Sequence, residues 1–114
     1  RTRELHDALK RRCLYNWIGF PSVEREVDIV RARIPGVSEK LATSVVQAVN
    51  KLREMELEKA PGVAETLDWV ESLQTIGADD LTEDALRDTI GSVLKDRDDF
   101  ETALNNVKEL VDSD

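Results

Sequence analysis

The chain has little of what marks several large protein classes. Three prolines and five glycines among 114 residues, with 40% hydrophobic residues, exclude a collagen-like repeat and an extensively disordered or low-complexity chain. Cysteine occurs once, at Cys13, so no disulfide can close within the chain; this fits a reducing, cytoplasmic setting. Histidine also occurs once, at His6. Zinc takes four protein ligands, or three and a water, so no structural zinc site is expected. As a nucleophile and base, His6 and Cys13 would stand roughly 10 Å apart along a helix, beyond hydrogen-bond reach. No apolar run approaches the roughly 20 residues of a membrane span, and no P-loop glycine pattern is present. The first twelve residues are charged and do not read as a secretory signal. Because the chain opens with Arg1 inside what reads as a structured segment, a piece of a longer protein is expected.

Charge is abundant and unevenly placed. The formal net charge is −8. Residues 1–76 hold 12 basic and 12 acidic groups, whereas residues 77–114 hold 4 basic and 12 acidic groups. Such a body is a poor partner for nucleic acid or an anionic membrane. The opening is locally basic, through Arg1, Arg3, Lys10, Arg11 and Arg12. One reading is a solvated acidic tail and an incidental basic start. The other is a basic edge aimed at an anionic ligand and an acidic surface aimed at a protein.

Periodicity predicts helices for most of the length. Thr2 is a candidate cap for a short helix over residues 3–12. The segment CLYNWI, Cys13 to Ile18, reads as a strand, broken by Gly19-Phe20-Pro21. With no sheet to join, that strand is expected to be misplaced, disordered or paired with another copy. Ser22 caps a helix carrying Val23, Val27, Val30 and Ile34, with Glu24 and Glu26 suited to its first turn. Pro35-Gly36 ends it. Ser38 opens a long helix with Leu41, Val45, Val46, Val49, Leu52 and Met55 on one stripe, and the EMELEK stretch is expected to prolong it as an exposed helix. Pro61-Gly62 precedes a helix over Val63–Ile76, with Trp69 on one flank as a core or hinge-packing residue and Gly77 as the C′ residue. Thr82 caps a helix that continues past Gly91, where close packing or a short break is expected. A last helix starts at Asp98 or Asp99 and runs to Val111. The acids Asp96, Asp98, Asp99 and Glu101 lack the central glycine of a calcium loop and suit a solvated helix N-terminus instead.

Arg11 and Arg12 point about 100° apart on a helix. One of them either pairs with a local carboxylate or offers its guanidinium fork to a phosphate across a subunit boundary. The stretch RTRELHDALKRRCLYNWIGFP, Arg1 to Pro21, resembles the segment after sensor 1 in MoxR-type AAA+ ATPases, with the CoxD-like branch nearest. VEREVDIVRARIPGVSEKLA, Val23 to Ala42, and PGVAETLDWVESL, Pro61 to Leu73, resemble the helical lid of that family.

The resemblance implies a mainly α fold. It implies that residues 1–20 are a helix-and-strand remnant of an α/β ATPase domain, and residues 21–114 a small helical lid bundle. It implies that the parent is a chaperone-like remodelling factor that hydrolyses ATP with Mg2+, both held by residues upstream of Arg1. The lid would pack over nucleotide and transmit hydrolysis around a hexameric ring, and the piece alone would be inactive and hold no cofactor. Partners would be copies of the same subunit, a von Willebrand A-type protein and a metalloenzyme client. Arg12, or else Arg11, would be the finger reaching a neighbour's γ-phosphate. The family's sensor 2 arginine has no counterpart, since Pro61 through Leu73 contains neither Arg or Lys. Gly62, Val63 and Thr66 at the helix N-terminus would be left to touch nucleotide. The alternative to this reading is a free-standing acidic helical protein-interaction module.

Overall fold

The computed structural model describes residues 20–111. Six α-helices follow one another: α1 Val23–Arg33, α2 Glu39–Glu54, α3 Val63–Thr75, α4 Glu83–Thr89, α5 Arg97–Asn105 and α6 Val107–Val111. A 3-10 turn, Ile90–Ser92, leads out of α4. No strand occurs among the described residues. The expected mixture of helical lid and helix-and-strand remnant is therefore corrected to a helical architecture throughout the described part. The short helix at residues 3–12, the strand at Cys13 to Ile18, and the residues His6, Arg11 and Arg12 lie outside the described residues.

Short-range signals set the helix ends. Ser22 Oγ accepts from Arg25 N at 3.2 Å, Ser38 Oγ from Leu41 N at 3.0 Å, and Thr82 Oγ1 from Ala85 N at 3.1 Å. Each satisfies an amide that the first turn leaves without a partner. α3 ends in the paired bonds of a Schellman motif, Ala78 N to Leu73 O and Gly77 N to Gln74 O, with Gly77 at φ 76°. That φ is open to glycine at little cost.

Two expectations about helix extent need correction. α2 stops at Glu54, and Met55 turns to ψ 160°, so the EMELEK stretch leaves the helix. The reason is tertiary: the N–H groups of Glu58 and Lys59 donate to Asp99 at 2.7 and 2.9 Å, and Leu57 packs on the core. Asp99 is consequently buried rather than a solvated acid at a helix start. The final helix begins at Arg97, where Asp96 Oδ1 accepts from Asp98 N and Asp99 N. It then breaks at Asn106, which has φ −125° and ψ 27°, before α6. At Gly91 an added Cβ would meet Phe100 at an ordinary 3.9 Å. The short break, not tight packing, is what occupies that position.

α2 is the central element. It packs against α1, α3 and α6 and buries Leu41, Ala42, Val45, Val46, Ala48, Val49 and Leu52. Its two buried alanines leave room for the neighbours, and each buried Val or Leu contributes roughly 1.5–3 kcal/mol. Trp69 of α3 is fully buried, as expected of a core residue. Its Nε1 donates to Thr89 Oγ1 at 2.7 Å, and Thr89 Oγ1 donates to Ala85 O at 2.7 Å, so α3 and α4 are joined without an unpaired indole N–H.

The loop between α3 and α4 is strapped to α2 by Asp80. Its Oδ1 accepts from Ser44 Oγ and Leu81 N, both at 2.8 Å, and Lys40 Nζ stands 3.6 Å from Oδ2. Partial burial acts to raise the Asp80 pKa. The Ser44 and Leu81 hydrogen bonds and the Lys40 charge outweigh it, holding the carboxyl below its ordinary 3.8. A carboxylate depressed by folding stabilises above its unfolded pKa, and that contribution is lost as pH falls through the folded value. Urea titrations are expected to show stability falling in acid below about pH 4, and Asp80→Asn should remove part of that acid-limb slope while lowering stability at neutral pH. An acid limb identical in the variant would show that the strap does not form.

Candidate functional site

A charge on each of two apolar stripes creates the most polar point of the interior. Glu26 lies three residues after Val23 and four before Val30, on the buried face of α1. Arg53 lies four residues after Val49, on the buried face of α2. The helices cross so that these side chains meet. Arg53 Nη1 donates to Glu26 Oε1 at 2.7 Å, and Arg53 Nη2 donates to Glu26 Oε2 at 2.9 Å. The two side chains are 4% and 1% exposed, so water does not screen this two-pronged pair.

The remaining valences are met from two further elements. Thr66 of α3 donates its hydroxyl to Glu26 Oε2 at 2.7 Å. Arg53 Nε donates to the Pro61 carbonyl at 2.8 Å, in the loop before α3. The Phe20 ring lies with its centroid 4.0 Å from the guanidinium carbon. The junction thus joins α1, α2, α3, the loop before α3 and the chain leading into α1. No fully buried side-chain nitrogen or oxygen among the described residues lacks a partner.

The residues that the resemblance implies as nucleotide contacts stand beside this junction. Gly62, Val63 and Thr66 are brought together at the start of α3. The Gly62 N–H donates to Glu65 Oε1 at 2.7 Å, and the Gly62 carbonyl accepts from Thr66 N at 3.1 Å. Thr66 is fully buried and its hydroxyl is turned inward to Glu26. Val63 is half-buried at the first position of α3. The polar groups of Gly62 and Thr66 are therefore committed within the body. Arg12 and Arg11 lie outside the described residues.

Glu26, Arg53 and Asp99 were not picked out by local patterning. Glu26 reads as a favourable acid in a first helical turn, and Arg53 as a cation in a last turn. Their signal was the spacing: each continues an apolar 3–4 stripe where a charge has to be paired. Outside the junction, Asp68, Glu71, Ser72, Thr75, Ser92 and Lys95 line a solvent-open groove of about 320 Å³, in which the Ser72 and Ser92 hydroxyls are 2.9 Å apart. No group of three or more His, Cys, Asp or Glu side chains suited to a metal ion occurs among the described residues, and none of their helices is long and apolar enough to cross a membrane.

No protein-family model matches the chain, and neither a curated protein nor a solved structure matches it.

Removing one partner of the junction strands the other. Arg53→Met is expected to cost about 3–5 kcal/mol, because Glu26 is left buried without its counter-charge. The double change Glu26→Leu with Arg53→Met should recover much of that loss, since apolar groups of similar volume need no partner. Urea unfolding of the single and double variants checks both. Equal destabilisation by the two would contradict an electrostatic origin.

Proposed function

We propose that residues 20–111 are a helical protein-interaction module that presents an acidic surface to a basic protein partner. The observation that carries this reading is the one-sided charge of residues 77–114. Asp79, Asp84, Asp88, Asp98, Glu101 and Glu109 are exposed there, spread over the loop before α4 and over α4, α5 and α6. Exposed Arg87 and Arg97 approach carboxylates only at 3.6–3.9 Å. Such surface pairs are weak and leave the local excess of negative charge in place. A field of this kind speeds encounter with a cationic surface and disfavours acidic ones. The apolar core beneath it holds the helices in a fixed arrangement, so the carboxylates form a shaped pattern.

Chemical-shift mapping with a basic amphipathic peptide tests the reading. At physiological ionic strength, saturable shifts confined to α4, α5 and α6 are expected. Asp88→Lys with Asp98→Lys should weaken binding about tenfold, or roughly 1.4 kcal/mol. Shifts spread evenly over the body, unaltered by the double reversal, would overturn it.

A second reading takes the partner to be an upstream nucleotide-binding domain. It rests on the likeness of Arg1 to Pro21 and of the two later stretches to MoxR-type AAA+ ATPases. It is in keeping with the helical body that follows Ser22 among the described residues, the part that the resemblance assigns to a lid. On this reading the body is a lid in a ring of identical subunits in the cytoplasm. ATP and Mg2+ belong to the parent, and a von Willebrand A-type protein or metalloenzyme is the client. Arg12 approaches a neighbour's γ-phosphate, with Arg11 the second choice. In the full-length parent, Arg12→Ala should abolish ring-dependent ATP turnover while nucleotide binding persists. Undiminished turnover would remove Arg12 from that role.

A further inference from the structure

We infer that Phe20 and Arg53 form a latch coupling the chain that leads into α1 to the loop between α2 and α3. The inference does not depend on which partner meets the acidic surface. It starts from the geometry of one guanidinium. Two of the Arg53 nitrogens are held by the Glu26 carboxylate at 2.7 and 2.9 Å. The third, Nε, holds the Pro61 carbonyl at 2.8 Å. All three bonds lie in the guanidinium plane, so its orientation is fixed by α1 and by the loop before α3. What remains is its π-face, and Phe20 covers it with the ring centroid 4.0 Å from the central carbon.

A guanidinium fixed in its plane makes a directional platform for an aromatic ring. A cation over a ring face is attracted by the ring quadrupole, and the attraction grows when water is excluded. Here the side chain of Arg53 is 4% exposed. Phe20 itself is only half-buried, so lifting it uncovers the guanidinium without opening the apolar core. Water admitted beside the guanidinium raises the local dielectric and so weakens the Nε–H bond to the Pro61 carbonyl. The two states are therefore Phe20 seated, with the Pro61 carbonyl held, and Phe20 lifted, with that hydrogen bond weakened. The Pro61 carbonyl lies between two tied stretches: Asp99 holds the Glu58 and Lys59 amides, Glu65 and Thr66 hold Gly62, and Arg53 Nε–H holds the carbonyl between them. Displacing the chain at residue 20 should thus loosen residues 60–62, forty residues away in sequence and on a different element.

The test is amide hydrogen exchange in the full chain, with Phe20→Leu and Phe20→Trp compared. Leucine keeps an apolar contact and lacks the ring quadrupole, whereas tryptophan offers a stronger one. Exchange at Gly62 and at neighbouring residues of the loop should accelerate about 3- to 30-fold in Phe20→Leu, the factor that corresponds to a contact of this kind when desolvated, and stay slow in Phe20→Trp. The Arg53 Hε resonance, shielded by the ring face, should move downfield in Phe20→Leu. Amides in the middle of α2 serve as the reference for global opening and are expected to exchange as before. Unchanged loop exchange and an unchanged Hε shift in Phe20→Leu would overturn the latch, as would acceleration spread equally over α2.

Discussion

The fold turns on the burial of one guanidinium. Arg53 and Glu26 are removed from water together, and each ion alone would cost several kcal/mol in that position. The cost is offset because each polar atom of the pair has a partner: carboxylate to guanidinium, hydroxyl to carboxylate, Nε to a loop carbonyl, with an aromatic ring over the guanidinium. An apolar contact would tolerate several rotations of α1 against α2. Fork-shaped hydrogen bonds at 2.7 and 2.9 Å admit one. The consequence reaches α3, whose first turn is placed by Thr66 and by Pro61, and through α3 it reaches the Trp69–Thr89 contact that seats α4.

The same economy of carboxylates recurs at two loops. Asp99 gathers the amides of Glu58 and Lys59, and Asp80 gathers Ser44 and Leu81. Asp99 replaces water for donors 40 and 41 residues away, and Asp80 does so for Ser44, 36 residues away, as well as for the adjacent Leu81. A chain with 24 acidic residues thereby divides them by task. Glu26 and Asp99 are buried, and Asp80 is half-buried; these organise connections. The exposed remainder on α4, α5 and α6 gives the surface its field. Recognition by that field and stability from the inward acids are separable, since screening by salt acts on exposed charges far more than on buried ones.

Much of the helical order was legible in advance. Ser22, Ser38 and Thr82 mark helix starts because a side-chain oxygen there competes for amides two or three residues on, a wholly local event. Gly77 marks an end because a positive φ is cheap only for glycine. The stripe through Leu41, Val45, Val49 and Leu52 announces burial by spacing alone. Legibility failed where distant groups took over. The EMELEK stretch has good helical pairing, yet Asp99 captures its amides from α5. The final helix is periodic through Val111, yet it breaks at Asn106. The junction of Glu26 and Arg53 was hidden because Glu26 also suits a first helical turn and Arg53 a last one, and neither position by itself requires the two to meet.

By itself the sequence determined the helical character of residues 20–111, the positions of the caps there, the apolar face of each long helix and the concentration of negative charge after residue 76. These follow from interactions spanning about four residues, or from simple summation of charge. Only the tertiary structure decided that Glu26 would meet Arg53, that Thr66 would turn inward and that Asp99 would close a loop. Those outcomes depend on which faces of non-adjacent helices come together, and the free energy of a buried charge is set by the partners it finds there.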